Sequence, residues 1–168
     1  MTKILRGAVA ALFWAIVATP AAMGGVLTGR VVSVHDGDTV TVLDADRTQH
    51  KIRLSGIDAP ELHQAHGRVS REHLAGQVAG KTVQVEWFKH DKYQRIVGKI
   101  FLDGKDINLT QITSGLAWHY KKYSSEQAAD DRSRYGKAEV AARESRLGLW
   151  QEPEPMPPWD YRRTKSSR

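Results

Sequence analysis

A chain of 168 residues, 40% hydrophobic and 26% charged, is long enough for one domain with a real core. Its formal net charge of +6 and pI near 9.7 favour an anionic partner: nucleic acid, a membrane surface or an acidic polymer. The absence of cysteine excludes disulfides, thiol chemistry and cysteine-held zinc, so any metal must rest on oxygen or imidazole.

Residues 1–23 read as a secretory signal peptide. Lys3 and Arg6 precede a short uncharged run from Gly7 to Ala18, and small residues follow, with cleavage near Ala21 or Ala22. The run is shorter than the roughly 20 apolar residues of a membrane span. The expected product is exported, periplasmic or secreted, with no membrane anchor after cleavage. Losing Lys3 and Arg6 takes the charge from +6 to +4, so the mature protein stays basic.

Leu27 to Val34 is rich in β-branched residues and predicts a strand. His35-Asp36-Gly37-Asp38 is a tight turn, with Gly37 able to take positive φ. Thr39 to Leu43 and Gln49 to Leu54 predict two more strands. In the latter, Ile52 and Leu54 share one face and Arg53 takes the other. Gly67 to Ala79 has helical spacing, with Val69, Leu74 and Val78 apolar and Gly80 as the stop. Thr82 to Phe88 and Ile96 to Leu102 predict strands four and five. Asn108 to Ala117 predicts a helix, and Ser124-Ser125-Glu126 is read as the cap of a longer one running through Arg146. The prolines from Pro153 to Pro158 exclude regular structure, and the basic end from Arg162 to Arg168 is expected to be mobile.

Three strands, a helix, two strands and two helices make an α+β fold. The order matches the five-stranded OB-fold barrel, with one helix between strands three and four and two C-terminal helices. The domain is expected over residues 26–150, with a Pro-rich, basic tail over 151–168.

The chemistry centres on residues 36–61. Asp38 and Asp58 sit beside turns at the two ends of a two-strand excursion. Adjacent antiparallel strands lie about 4.8 Å apart, so such ends can meet. Two carboxylates with carbonyls and waters suit Ca²⁺, which takes about 6–8 oxygen ligands. An Asp-Gly-Asp taken alone is most often a turn, and Asp36 is read as a turn former or outer carboxylate. Glu61, stiffened by Pro60, is within reach of a water beside such a metal and is a candidate general base. Arg53 and Arg95 are candidates for phosphate, because a guanidinium binds two phosphate oxygens and stays charged. Trp118 to Tyr123 combines aromatics with Lys121 and Lys122. Trp118 is assigned to the core, and Tyr123 to base stacking of the kind that holds single strands.

Five segments in register carry a resemblance: Asp36-Gly37-Asp38-Thr39, Arg53 to Glu61, Asp91 to Arg95, Gly115-Leu116-Ala117 and Arg146 to Trp150. Together they make the chain resemble the exported bacterial members of the staphylococcal nuclease family. The resemblance implies an OB-fold, Ca²⁺-dependent phosphodiesterase that cuts DNA and RNA and leaves 3′-phosphate ends. It implies metal ligation by Asp38, Asp58 and the carbonyl of Ala59, catalysis by Arg53, Glu61 and Arg95, and substrate contacts by Lys92, Tyr93 and Tyr123. It also implies a monomer that prefers single-stranded or frayed nucleic acid. Two departures stand out: Gln94 occupies a position where glycine is usual, and the segment after Glu61 is short, with His63 and His66 in it. The competing readings are an OB-fold module that binds single strands without cutting them, and an envelope structural protein.

Overall fold

A computed structural model describes residues 24–166 of the chain; the predicted signal segment lies outside the described residues. The strands are β1 (Gly25–Val34), β2 (Thr39–Leu43), β3 (Gln49–Leu54), β4 (Ile57–Asp58), β5 (Thr82–His90), β6 (Ile96–Leu102), β7 (Lys105–Asp106) and β8 (Trp118–His119). The helices are α1 (Gly67–Val78), α2 (Ile107–Thr113), α3 (Ala129–Glu144) and α4 (Pro158–Ser166). No helix among the described residues is long and apolar enough to cross a membrane.

Five strands close the barrel. β1 runs antiparallel between β2 and β5, β2 pairs with β3, and β5 pairs with β6. The closure is the parallel pairing of β3 with β6, which sets Ile52 beside Ile96 and Arg53 beside Val97. This is the OB fold expected from the element order. Closure pairs β3 with β6, so the outer strands of the five-stranded barrel sheet cover one another.

The core follows the period of two. Val40, Val42, Ile52, Leu54, Val85 and Ile100 turn inward and are fully buried. Leu74 and Val78 of α1 cover one end, and Ile107 and Ile112 of α2 join the same core. On α1 the buried stripe is Gly67, Ser70, Leu74 and Val78, so the polar Ser70 faces inward and the apolar Val69 faces solvent.

Several element bounds differ from the sequence reading. α2 ends at Thr113 because Gly115 turns left-handed, at φ 66°, and the amides of Leu116 and Ala117 fold back to the Gln111 carbonyl. Ser124 to Glu126 do not cap α3. They belong to a 3₁₀ turn, Lys121–Glu126, and Ala128 in extended conformation starts the helix instead. The end of the chain is not irregular throughout. Pro158 opens α4, where its missing N–H is harmless and its fixed φ suits a first turn.

A buried pair ties α3 to α2. The Tyr135 hydroxyl donates to both carboxylate oxygens of Asp106 at 3.0 Å. Asp106 in turn caps α2 by accepting from the Leu109 amide. Burial and the Asp106 charge both push the Tyr135 pKa upward. Tyr135→Phe therefore removes a donor from a buried carboxylate. It should lower unfolding free energy by about 1–3 kcal/mol in urea denaturation, with the m-value unchanged.

Candidate active site at the barrel mouth

β2 begins, β3 ends and β6 begins at one end of the barrel. Asp38 immediately precedes β2, and its carbonyl accepts from the Leu54 amide at 2.8 Å. Arg53 pairs across the ladder with Thr39. Arg95 immediately precedes β6, whose first residues run beside Ile52 and Arg53. β4 brings in Asp58 by pairing it with Trp118 of β8. Residues distant in the chain thus meet because the barrel closes.

The polar turn before β2 is held from behind. Gln111 of α2 donates to the Gly37 carbonyl at 2.7 Å and to the Ser70 carbonyl at 3.1 Å. Ser70 donates to the Leu116 carbonyl. Both side chains are fully buried. Gly37 does not use the positive φ that is open to glycine. It is needed for close approach: a Cβ there would lie 1.8 Å from the Ser70 hydroxyl oxygen and 2.7 Å from the Ala59 Cβ. Asp36 completes the turn by accepting from the Asp38 amide at 3.0 Å. Burial and the adjacent Asp38 push the Asp36 carboxyl up to about 7.

Asp38 and Asp58 are 5% and 0% exposed. Asp38 accepts from the Ala59 amide at 2.7 Å and the Thr39 hydroxyl at 3.0 Å. Arg53 bridges the two acids, 3.1 Å from Asp38 and 2.8 Å from Asp58. It is anchored by the carbonyls of Leu54 and Ile57 at 2.6 and 2.9 Å. Burial opposes its charge, but Asp38 and Asp58 outweigh that and raise its pKa. Burial likewise pushes Asp58 up, against the pull of Arg162 and Arg53.

These groups open onto a cavity of about 640 Å³. All nine residues singled out in the sequence line it: Asp38, Asp58 and Ala59; Arg53, Glu61 and Arg95; Lys92, Tyr93 and Tyr123. Arg95 holds Asp91 through its Nε and Nη2, both at 2.7 Å, and its guanidinium lies 5.5 Å from the Tyr93 ring centre. Tyr93 is 67% exposed and Tyr123 is 42% exposed. The Lys89 ammonium sits 5.5 Å from the Tyr123 ring centre and pairs with Glu126 at 2.6 Å. Trp118 is buried against Trp150, as assigned.

Gln94 adopts φ 61°, the left-handed region that glycine enters freely and glutamine enters at a cost. The turn keeps its shape. The Asp91 carboxylate accepts from the amides of Tyr93 and Arg95, and the Gln94 amide reaches the Asp91 carbonyl.

One participant was not foreseen. Arg162 of α4, expected in a mobile tail, donates to Asp58 at 2.7 and 3.2 Å and to Glu61 at 2.8 Å. The signals were present: Pro157-Pro158 as a helix start, Asp160 in the first turn, and Trp159 and Arg162 three apart on one face. Tyr120, part of the aromatic stretch from Trp118 to Tyr123, was not assigned to the site. It lines the cavity and stacks on Trp159, with ring centres 5.4 Å apart and planes 6° apart.

Residues 51–152, more than half the chain, match the family model described as staphylococcal nuclease homologue. The chain belongs to this family. It is 41% identical over 138 residues to an "Uncharacterized endonuclease" of Escherichia coli, covering 82% of this chain and 86% of that protein. It is 36% identical over 174 residues to "Protein ParB" of Escherichia coli, covering 98% and 94%. It is also 39% identical over 115 residues to "Staphylococcal-like nuclease CAN1" of Arabidopsis thaliana, covering 68% of this chain and 34% of the plant protein.

Within the family framework, a divalent cation would rest on oxygen alone. The carboxylates of Asp38 and Asp58 line the cavity there, next to Ala59. Among the described residues no group of three or more His, Asp or Glu side chains forms a ready metal cage. A site of two carboxylates and a carbonyl, completed by water, suits Ca²⁺ better than an ion that demands strict geometry.

Gly37→Ala should cost about 1–3 kcal/mol by overpacking against Ser70 and Ala59, seen as a lower Tm. Gln94→Gly should go the other way, raising stability by up to about 1 kcal/mol as the left-handed strain is relieved. Parallel thermal melts of the two variants check both signs.

Proposed function

We propose that this protein is a calcium-dependent nuclease that hydrolyses phosphodiester bonds in DNA and RNA. The observation that carries the reading is the convergence of Asp38, Asp58, Arg53, Arg95 and Glu61 on one cavity, in a chain of this family. The residues Lys3 to Ala22 support export, and the closed barrel supports a monomer.

Asp38 and Asp58, with the Ala59 carbonyl, would hold the cation. When bound, Ca²⁺ supplies positive charge against the scissile phosphate. Arg53 is fixed in place by the Leu54 and Ile57 carbonyls, so its guanidinium meets a phosphate oxygen with little reorganisation. Arg95 approaches from the start of β6 and shares the charge that builds as phosphorus becomes five-coordinate. Glu61, 39% exposed at the cavity edge, takes a proton from the attacking water. The new bond forms between that water oxygen and phosphorus, the bond to the 5′ oxygen breaks with its electron pair, and the departing 5′ oxygen takes a proton from solvent water while Glu61 returns its own to bulk. The products are a 3′-phosphate and a 5′-hydroxyl. Lys92, Tyr93 and Tyr123 line the approach. Exposed rings beside ammonium groups favour an unpaired strand, whose bases are free to stack.

Plasmid DNA and RNA incubated with the protein should be degraded with Ca²⁺ and left intact with chelator. Glu61→Gln should lower kcat by about 10²–10⁴-fold. Arg95→Ala should lower it by about 10²–10³-fold. Wild-type rates in both variants would remove the assignment. The second reading, a strand-binding module, is favoured by the exposed Tyr93 and Tyr123 with their lysines. It predicts oligonucleotide retention in a gel shift with no calcium-dependent cutting.

A further inference from the structure

Arg162 reaches the barrel mouth from 104 residues beyond Asp58 in sequence. Its two terminal nitrogens meet both oxygens of the Asp58 carboxylate, at 2.7 Å on one and 3.2 Å on the other, and one of them also meets Glu61. Asp58 Oδ1 additionally accepts from Arg53. A carboxylate offers about four lone-pair sites, so three of them are taken by guanidinium donors. A calcium ion approaches carboxylate oxygen to about 2.3–2.6 Å. A guanidinium at hydrogen-bond distance on the same oxygens blocks that approach and repels the ion.

The two arginines on Asp58 are held very differently. Arg53 is only 13% exposed and is bound to two backbone carbonyls as well as two acids. Arg162 is 43% exposed, and its bonds run to Asp58 and Glu61. It projects from a nine-residue helix at the end of the chain. That helix rests on the barrel mouth through Trp159, stacked on Tyr120 and edge-on to Trp118. Arg53 is therefore a fixed part of the site and Arg162 an exchangeable one.

We propose that Arg162 is a resident stand-in for the cation: α4 delivers a guanidinium to the Asp58–Glu61 pair, and the divalent ion must displace it to load. The proposal rests on reading Asp58 as a cation ligand. It makes Arg162 the residue that sets the calcium concentration at which the site fills. It also explains how a fully buried carboxylate stays compensated before the ion arrives. Displacing the guanidinium also frees Glu61, so ion loading and release of the candidate base become one event.

The test is isothermal titration of CaCl₂ into the full-length mature protein, with no nucleic acid present. Arg162→Ala should bind Ca²⁺ at least about tenfold tighter than wild type, the equivalent of losing one competing close charge pair. Arg162→Lys keeps the charge but loses the two-pronged grip, so its affinity should fall between the two. That variant carries the test if Arg162→Ala fails to fold. Equal or weaker binding in the substituted proteins, with wild type still binding, would overturn the exchange and leave the nuclease reading intact. An absence of calcium binding in wild type and variants alike would overturn both.

Discussion

Asp38 and Asp58 lie almost wholly out of water at one end of the barrel, and a buried carboxylate is costly unless charge and hydrogen bonds replace its hydration. Arg53 meets that demand. It spans both acids, and the carbonyls of Leu54 and Ile57 keep it there. The surrounding structure serves this arrangement. β2 and β3 set Arg53 opposite Thr39, next to Asp38. The Arg53 grip on the Ile57 carbonyl fixes the start of β4, and with it the position of Asp58. An uncharged residue at position 53 would remove the guanidinium from Asp38 and leave Asp58 to Arg162 alone, so the acids and the arginine are one unit.

The barrel turns that unit into a site. The parallel closure of β3 on β6 is the only contact among the barrel strands that joins the first hairpin to the second half of the chain in parallel. It puts the start of β6, and Arg95 just before it, beside Arg53. Behind the unit, Gln111 holds the Gly37 carbonyl and the Ser70 carbonyl, and the Ser70 hydroxyl holds the Leu116 carbonyl, all through buried hydrogen bonds. Those bonds aim the Asp36–Asp38 turn from the helical side. Local turn chemistry, sheet register and helix packing agree on one placement for Asp38, and that agreement is what a preorganised site requires.

Much of this was legible in the chain. β-branched residues and alternation marked the five barrel strands, and the two-strand excursion implied that its ends, at Asp38 and Asp58, could meet. What was hidden is non-local. Nothing in the α1 segment shows that Ser70, rather than Val69, faces inward; that follows from the angle at which α1 meets the barrel. Gln111 reads as an ordinary polar helix position until the Gly37 carbonyl is placed against it. Gly37 reads as a turn glycine free to take positive φ, and only the structure shows that close contact with Ser70 and Ala59 is the constraint. The prolines before α4 masked a helix, because Pro disfavours helix interiors but suits a first turn. Arg162 was missed for the same reason.

The charge balance of the cavity gives Arg162 its meaning. Six carboxylates and five cationic side chains line it, Arg162 among the five, within a protein of net charge +6. An anionic strand is drawn by the whole molecule, yet the cleft holds acids and bases in near balance. On the proposed reading, exchanging one guanidinium for a divalent ion raises the cavity by a single charge and evens the balance. Adding the ion with Arg162 still in place would crowd two cations onto Asp58. The acids therefore need positive charge in both states, and the two states differ in whether the chain's own end or an ion provides it. That places the on-off character of the site in α4, the segment farthest in sequence from the acids it guards.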